Sequence, residues 1–120
     1  MKILVVDDNP LTGKLVSAYL GRFGWKVETC DGPFGAINKV REFRPDAVLV
    51  DLNMPGLSGY KLADLLKQKK DDYGYKLFSF SAEDEQVQEG LVRKGLVDGY
   101  YVKTNSLAGL VEVIGGCVPA

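Results

Sequence analysis

Histidine is absent from the 120-residue chain, and the only two cysteines, Cys30 and Cys117, lack metal-ligand spacing. These absences argue against His-based catalysis and a zinc site, and the two thiols read as reduced and structural. A surplus of one sign of charge is missing too: 15 basic against 16 acidic residues leave a formal charge of -1. So balanced a chain has no basic footprint for DNA or RNA, and direct nucleic-acid binding is not expected. No apolar run approaches the length of a membrane span, and the few apolar residues after Lys2 are too short for a signal peptide. The expectation is a soluble, cytoplasmic chain. Its length suits one domain over residues 1–120, with a core that needs neither disulfides nor a structural metal.

What is present alternates. Ile3 to Val6 reads as a strand buried on both faces, and Asp7-Asp8 follow it directly. Asn9 and Pro10 suit a helix start, and Leu11, Leu15, Tyr19 and Phe23, with Val16 and Leu20 beside them, give that helix an apolar face ending at Gly24. A second strand runs from Trp25 to Thr29. A second helix carries Ala36, Ile37, Val40 and Phe43 and is closed by Pro45. Asp46 to Val50 repeats the first strand and again ends in an aspartate, Asp51. NMPGLSG (residues 53–59) is a loop in which Ser58 can cap a third helix containing Leu62, Ala63, Leu65 and Leu66. Lys76 to Phe80 is a fourth strand, and a polar helix from about Glu83 turns Val87, Leu91 and Val92 inward. Gly99 to Val102 is a fifth strand, ending at Lys103. Asn105 or Ser106 can cap a last helix through Leu107, Leu110, Val111 and Ile114, terminated by residues 115–120, which read as a native end or a linker stub. Five strands and five helices in strict alternation imply a parallel sheet covered on both faces.

In an open parallel sheet, ligands bind beyond the carboxyl ends of the strands. Those ends carry Asp7-Asp8, Asp51, Ser81 and Lys103; Cys30-Asp31 after the second strand is the exception, as an edge strand would give. Carboxylates about 5 Å apart repel by roughly 3 kcal/mol per pair at an effective dielectric of ~20. Lys103 offers one positive charge, and a hard divalent cation such as Mg²⁺, held by carboxylates, a backbone carbonyl and water, would supply the rest. An aspartate can also attack phosphorus to form an aspartyl phosphate, with the metal and Lys103 neutralising the phosphoryl group and the Ser81 hydroxyl bonding one of its oxygens. Taken singly, an aspartate ending a strand is more often a turn former or helix cap, and a lysine there is usually just solvated. The conjunction on one edge carries the weight.

With ILVVDD, VLVDLNMPGLSG, FSFSAED and DGYYVK in this order and spacing, the chain resembles the receiver domains of bacterial two-component response regulators over essentially its full length. The resemblance implies a flavodoxin-like α/β fold: a doubly wound five-stranded parallel sheet in the order 2-1-3-4-5. It implies Asp51 as phosphoacceptor, Asp8 as a direct Mg²⁺ ligand, Asp7 as one through water, and the Asn53 backbone carbonyl as a further ligand. Lys103 would pair with the phosphoryl group, Ser81 would be the switch hydroxyl, and Tyr100 the aromatic that turns inward with it. Asn53 and Glu83 fall at the positions that tune phosphate lifetime. Plainer readings stand beside these: Tyr100 as a sheet-edge aromatic, Ser81 as a helix cap, and Asn53 as a turn residue. One departure is Lys103-Thr104 where the family usually has Lys-Pro, often cis; a cis bond without proline costs about 3 kcal/mol.

The implied function is a phosphorylation-activated signalling switch in a two-component phosphorelay, a receiver that catalyses its own phosphorylation and dephosphorylation rather than a turnover enzyme. A histidine kinase or phosphotransfer protein would donate the phosphoryl group. Output would reach a downstream protein or a missing effector domain through the fourth helix, fifth strand and last helix, with Tyr100, Tyr101 and the Val87–Leu91 region in contact. A receiver fold used only as an interaction module, never phosphorylated, is the competing reading. A flavin- or nucleotide-binding protein fits poorly, because Asp7-Asp8 would repel a phosphate and no glycine-rich phosphate loop is present. A phosphoaspartate-type phosphatase would need a second acid where Asn53 stands.

Overall fold

The computed structural model describes residues 1–54 and 59–118. The elements in chain order are β1 (Lys2–Val6), α1 (Pro10–Gly21), β2 (Lys26–Cys30), α2 (Ala36–Phe43), β3 (Ala47–Val50), α3 (Gly59–Tyr73), β4 (Lys76–Ser81), α4 (Glu85–Arg93), β5 (Gly99–Val102) and α5 (Ala108–Cys117). The strands form one sheet in the order β2-β1-β3-β4-β5 with every neighbouring pair parallel. This is the doubly wound order implied by the resemblance, with β2 at one edge and β5 at the other.

Strand alternation divides the core into two layers. Ile3 and Val5, Ala47 and Leu49, and Phe78 and Phe80 face one way and pack with Val16 and Leu20 of α1 and with Leu110 and Ile114 of α5. Leu4 and Val6, Val48 and Val50, and Leu77 face the other way, against Val40 of α2, Leu62 and Leu66 of α3, and Leu91 of α4. β1 and β3 are therefore apolar on both faces, which is why they read as runs rather than alternations, whereas β4 carries Ser79 and Ser81 on the Leu77 face.

Several local expectations are corrected. On α1, Leu11 and Leu15 are 57% and 54% exposed, and Phe23 is exposed as well; Gly13, Val16 and Leu20 are the buried residues. The helix ends at Gly21, before the left-handed Gly24. β2 begins one residue later than expected and includes Cys30, while β4 extends to Ser81. Leu65 is exposed on α3, and the expected cap, Ser58, lies outside the described residues. α4 starts at Glu85 with Asp84 at its N-cap, and Val87 is 38% exposed while Gln88 takes the inward position. Leu107, not Asn105 or Ser106, occupies the N-cap of α5, although the Ser106 hydroxyl accepts from Ala108 N–H at 3.3 Å. That helix runs through Gly115 and Gly116 to Cys117. Among the described residues every peptide bond is trans, including Lys103-Thr104, and no helix is long and apolar enough to cross a membrane.

Candidate functional site

The parallel register brings the ends of β1, β3, β4 and β5 to one edge of the sheet. Asp7 and Asp51 each continue the ladder by one residue: Asp7 N–H donates to the Cys30 carbonyl at 3.0 Å, and Asp51 N–H to the Val6 carbonyl at 3.0 Å. Lys103 N–H donates to the Ser81 carbonyl at 2.8 Å. Backbone bonds of the sheet thus fix where the three charged side chains begin.

Both of these carboxylates are buried, whereas Asp8 is exposed. Asp7 Oδ1 accepts from Asn9 N–H at 2.9 Å, and its buried Oδ2 is ion-paired with Lys103 Nζ. Asp51 Oδ1 accepts from Asn53 N–H at 3.2 Å, and its Oδ2 lies 3.3 Å from Lys103 Nζ. Lys103 therefore bridges two buried acids. Burial alone would lower its pKa, but hydrogen bonding to Asp7 and the charges of Asp51 and Asp7 outweigh that and raise it above the ordinary lysine value.

Oxygen atoms from Asp7, Asp8 and Asp51 lie within 4.8 Å of one another. One ammonium against three carboxylates leaves a net negative site, and hard oxygen donors at that spacing suit a divalent cation of the Mg²⁺ type. Ser81 adjoins this cluster from β4. Its buried hydroxyl accepts from Asn53 Nδ2 at 3.4 Å and from Glu83 N–H at 3.3 Å. Both positions named for phosphate lifetime thus touch Ser81, and Ser81 closes a turn rather than capping α4. Tyr100 stands apart from the acids: its hydroxyl donates to Glu85 at 2.7 Å, with Glu89 at 3.3 Å, both on α4. Hydrogen bonding to Glu85 is the main reason its phenol pKa is raised.

Two polar residues escaped the sequence reading. Ser79 and Gln88 are fully buried and bonded to each other at 2.7 Å beneath Ser81. The signal was available: serines at alternate positions of an apolar strand share a face, and a buried hydroxyl there needs a partner.

With this geometry in place, comparison with known proteins is decisive. The chain belongs to the response regulator receiver domain family, which matches it over residues 3–115. It is 31% identical to the response regulator TrrA of Thermotoga maritima, solved in complex with Mg²⁺-BeF, with a TM-score of 0.79 over 92% of this chain and 93% of that one. It superposes on chemotaxis protein CheY4 of Vibrio cholerae with a TM-score of 0.85 over 98% of both chains; at 22% identity that likeness is one of fold. Among curated relatives, the probable transcriptional regulatory protein TcrX of Mycobacterium tuberculosis is 33% identical over 91% of this chain. DNA-binding response regulator MtrA of Mycolicibacterium smegmatis is 31% identical over 85%. The chain spans less than half the length of these two relatives, 46% and 43%.

Proposed function

We propose that the chain is a phosphorylation-activated switch that accepts a phosphoryl group on Asp51, in the cytoplasm, from a histidine kinase or phosphotransfer protein. The observation that carries this reading is the buried Asp51 carboxylate beside two further carboxylates and the Lys103 ammonium. In-line attack by a carboxylate oxygen needs charge neutralisation on the transferring group, and positioning supplies most of the remaining catalysis. Asp7, Asp8 and Asp51, with the Asn53 carbonyl, would hold Mg²⁺, which when bound supplies that neutralising charge. Lys103, now paired with Asp7 and Asp51, is the cation available to the phosphoryl oxygens. The Ser81 hydroxyl, linked to Asp51 through Asn53, whose side chain bonds the serine and whose backbone N–H bonds the aspartate, would donate to a phosphoryl oxygen. Asn53 and Glu83, both bonded to the Ser81 hydroxyl, would tune the lifetime of the phosphoryl group.

Tyr100 is tied outward to α4 by its bonds to Glu85 and Glu89. Movement of Ser81 would free the space toward which Tyr100 turns, altering the face formed by α4, β5 and α5 that meets a downstream protein or an effector domain. The chain itself contacts neither nucleic acid nor membrane in this reading.

The test is intact-mass spectrometry after incubation with acetyl phosphate and Mg²⁺. A single phosphate adduct that disappears with Asp51→Asn or with chelator is the expected result. If no adduct forms, and a beryllofluoride complex also fails to form, the chain is an unphosphorylated interaction module instead.

A further inference from the structure

Gln88 lies on the inner face of α4 with no exposed surface. Burying a primary amide is costly unless its donors and acceptor are used. Here they are: Gln88 Oε1 accepts from the Ser79 hydroxyl at 2.7 Å, and Nε2 donates to the carbonyls of Ser81 at 3.1 Å and Glu83 at 2.9 Å. A leucine or methionine would fill the position without any such requirement, so the amide is there for what it bonds.

Those partners bracket one residue. Ser79 precedes Ser81 on the same face of β4, the Ser81 carbonyl is held directly, and Glu83 belongs to the turn whose N–H points back to the Ser81 hydroxyl. The same Ser81 carbonyl also accepts the Lys103 N–H from β5, so the peptide unit is pinned from both sides. With its carbonyl held by α4 and β5, the backbone from which the hydroxyl projects is fixed, and that hydroxyl accepts from the Asn53 side chain, whose backbone N–H donates to Asp51.

We propose that Gln88 is a positioning residue for phosphoryl transfer, acting through Ser81: its amide bonds to Ser79, Ser81 and Glu83 aim the Ser81 hydroxyl at the phosphoacceptor and tie α4 to it. The inference rests on Asp51 being phosphorylated, and its test separates the two. Gln88→Met keeps the volume and removes all three bonds. Native-state amide exchange of the unphosphorylated protein should show the Glu83 N–H exchanging about tenfold faster, the loss of one neutral hydrogen bond. The β1 and β3 amides, unchanged, are the internal control. Phosphoryl uptake from acetyl phosphate should slow by roughly tenfold in Gln88→Met, and the substitution should have no further effect in a Ser81→Ala background. Should Gln88→Met fail to fold, Ser79→Ala, which releases Oε1 alone, should move both readouts the same way by about threefold, as partial loss of one bond does. Unchanged Glu83 exchange, or equal slowing with and without the Ser81 hydroxyl, overturns the role. If the wild type takes up no phosphoryl group, the proposed function fails and the exchange comparison alone decides Gln88.

Discussion

Lys103 stands between two buried acids, and the balance around it sets opposite signs for neighbouring substitutions. Without a bound cation, Asp7, Asp8 and Asp51 repel one another, and the single ammonium offsets only part of that. Lys103→Met should therefore destabilise the metal-free protein by about 2 kcal/mol, because it leaves two buried carboxylates without a counter-charge. Asp8→Asn, at the exposed member of the cluster, should stabilise it by about 1 kcal/mol and at the same time abolish the rise in Tm expected of the wild type on adding Mg²⁺. Urea unfolding in chelator, repeated with Mg²⁺, checks both. Should the two variants shift stability in the same direction, charge repulsion is not what governs the cluster. The raised pKa of Lys103 works the same way: its contribution is present below the unfolded lysine value and is lost as pH climbs through the higher folded one.

Helix α1 sits unusually close to β2, and the reason is a glycine. A Cβ built on Gly13 would meet Thr29 Cγ2 at 2.5 Å. Alanine in a helix interior is normally worth about 1 kcal/mol over glycine. Here Gly13→Ala should instead destabilise by about 1–2 kcal/mol, as overpacking does, and Thr29→Ser, which removes the offending methyl, should recover most of that loss in the double variant. Thermal unfolding of the three proteins reads this directly. The same helix explains what the sequence could and could not convey. Leu11 and Leu15 lie on the side of the helix opposite Gly13, Val16 and Leu20; four-residue steps advance the row by only about 40° each, so Tyr19 reaches the flank of the core and Phe23 falls beyond the helix end. Apolar spacing reports a stripe, not which stripe the sheet meets. On α4 the miss is of another kind: Gln88 is buried because its three partners are polar, while apolar Val87 faces outward. The acid cluster was legible for the opposite reason. Asp7, Asp51, Ser81 and Lys103 each follow an apolar run directly, and in an alternating parallel fold all such ends share one edge. The outward tie of Tyr100 was not, since it depends on where Glu85 and Glu89 of α4 fall beside β5.

The fold separates a polar, reactive edge from a braced one. At the amino ends of the strands, Asp98 accepts from Leu77 N–H at 2.8 Å and pairs with Lys70 at 2.6 Å, joining α3, β4 and the approach to β5. Asp46 similarly accepts from Lys2 N–H at 2.7 Å across β1 and β3. Burial would raise the pKa of Asp98, but the Leu77 N–H and the Lys70 ammonium overcome it and hold the carboxyl below its ordinary value. A depressed carboxylate contributes stability that is complete above its unfolded pKa, near 3.9, and is lost as pH falls through the folded one. Asp98→Asn keeps the shape and removes the charge, so it should cost about 2 kcal/mol at pH 7. That gap from wild type should narrow as pH falls below the ordinary aspartate value and through the depressed folded one, as the native aspartate is itself protonated. Urea unfolding of both proteins across this range measures it; a gap that stays constant with pH would show that the brace is steric rather than ionic. Because Asp98 lies at the far edge from Asp51, the rate of phosphoryl uptake by the folded variant at pH 7 should equal that of the wild type, separating the frame that holds the sheet from the edge proposed to accept the phosphoryl group.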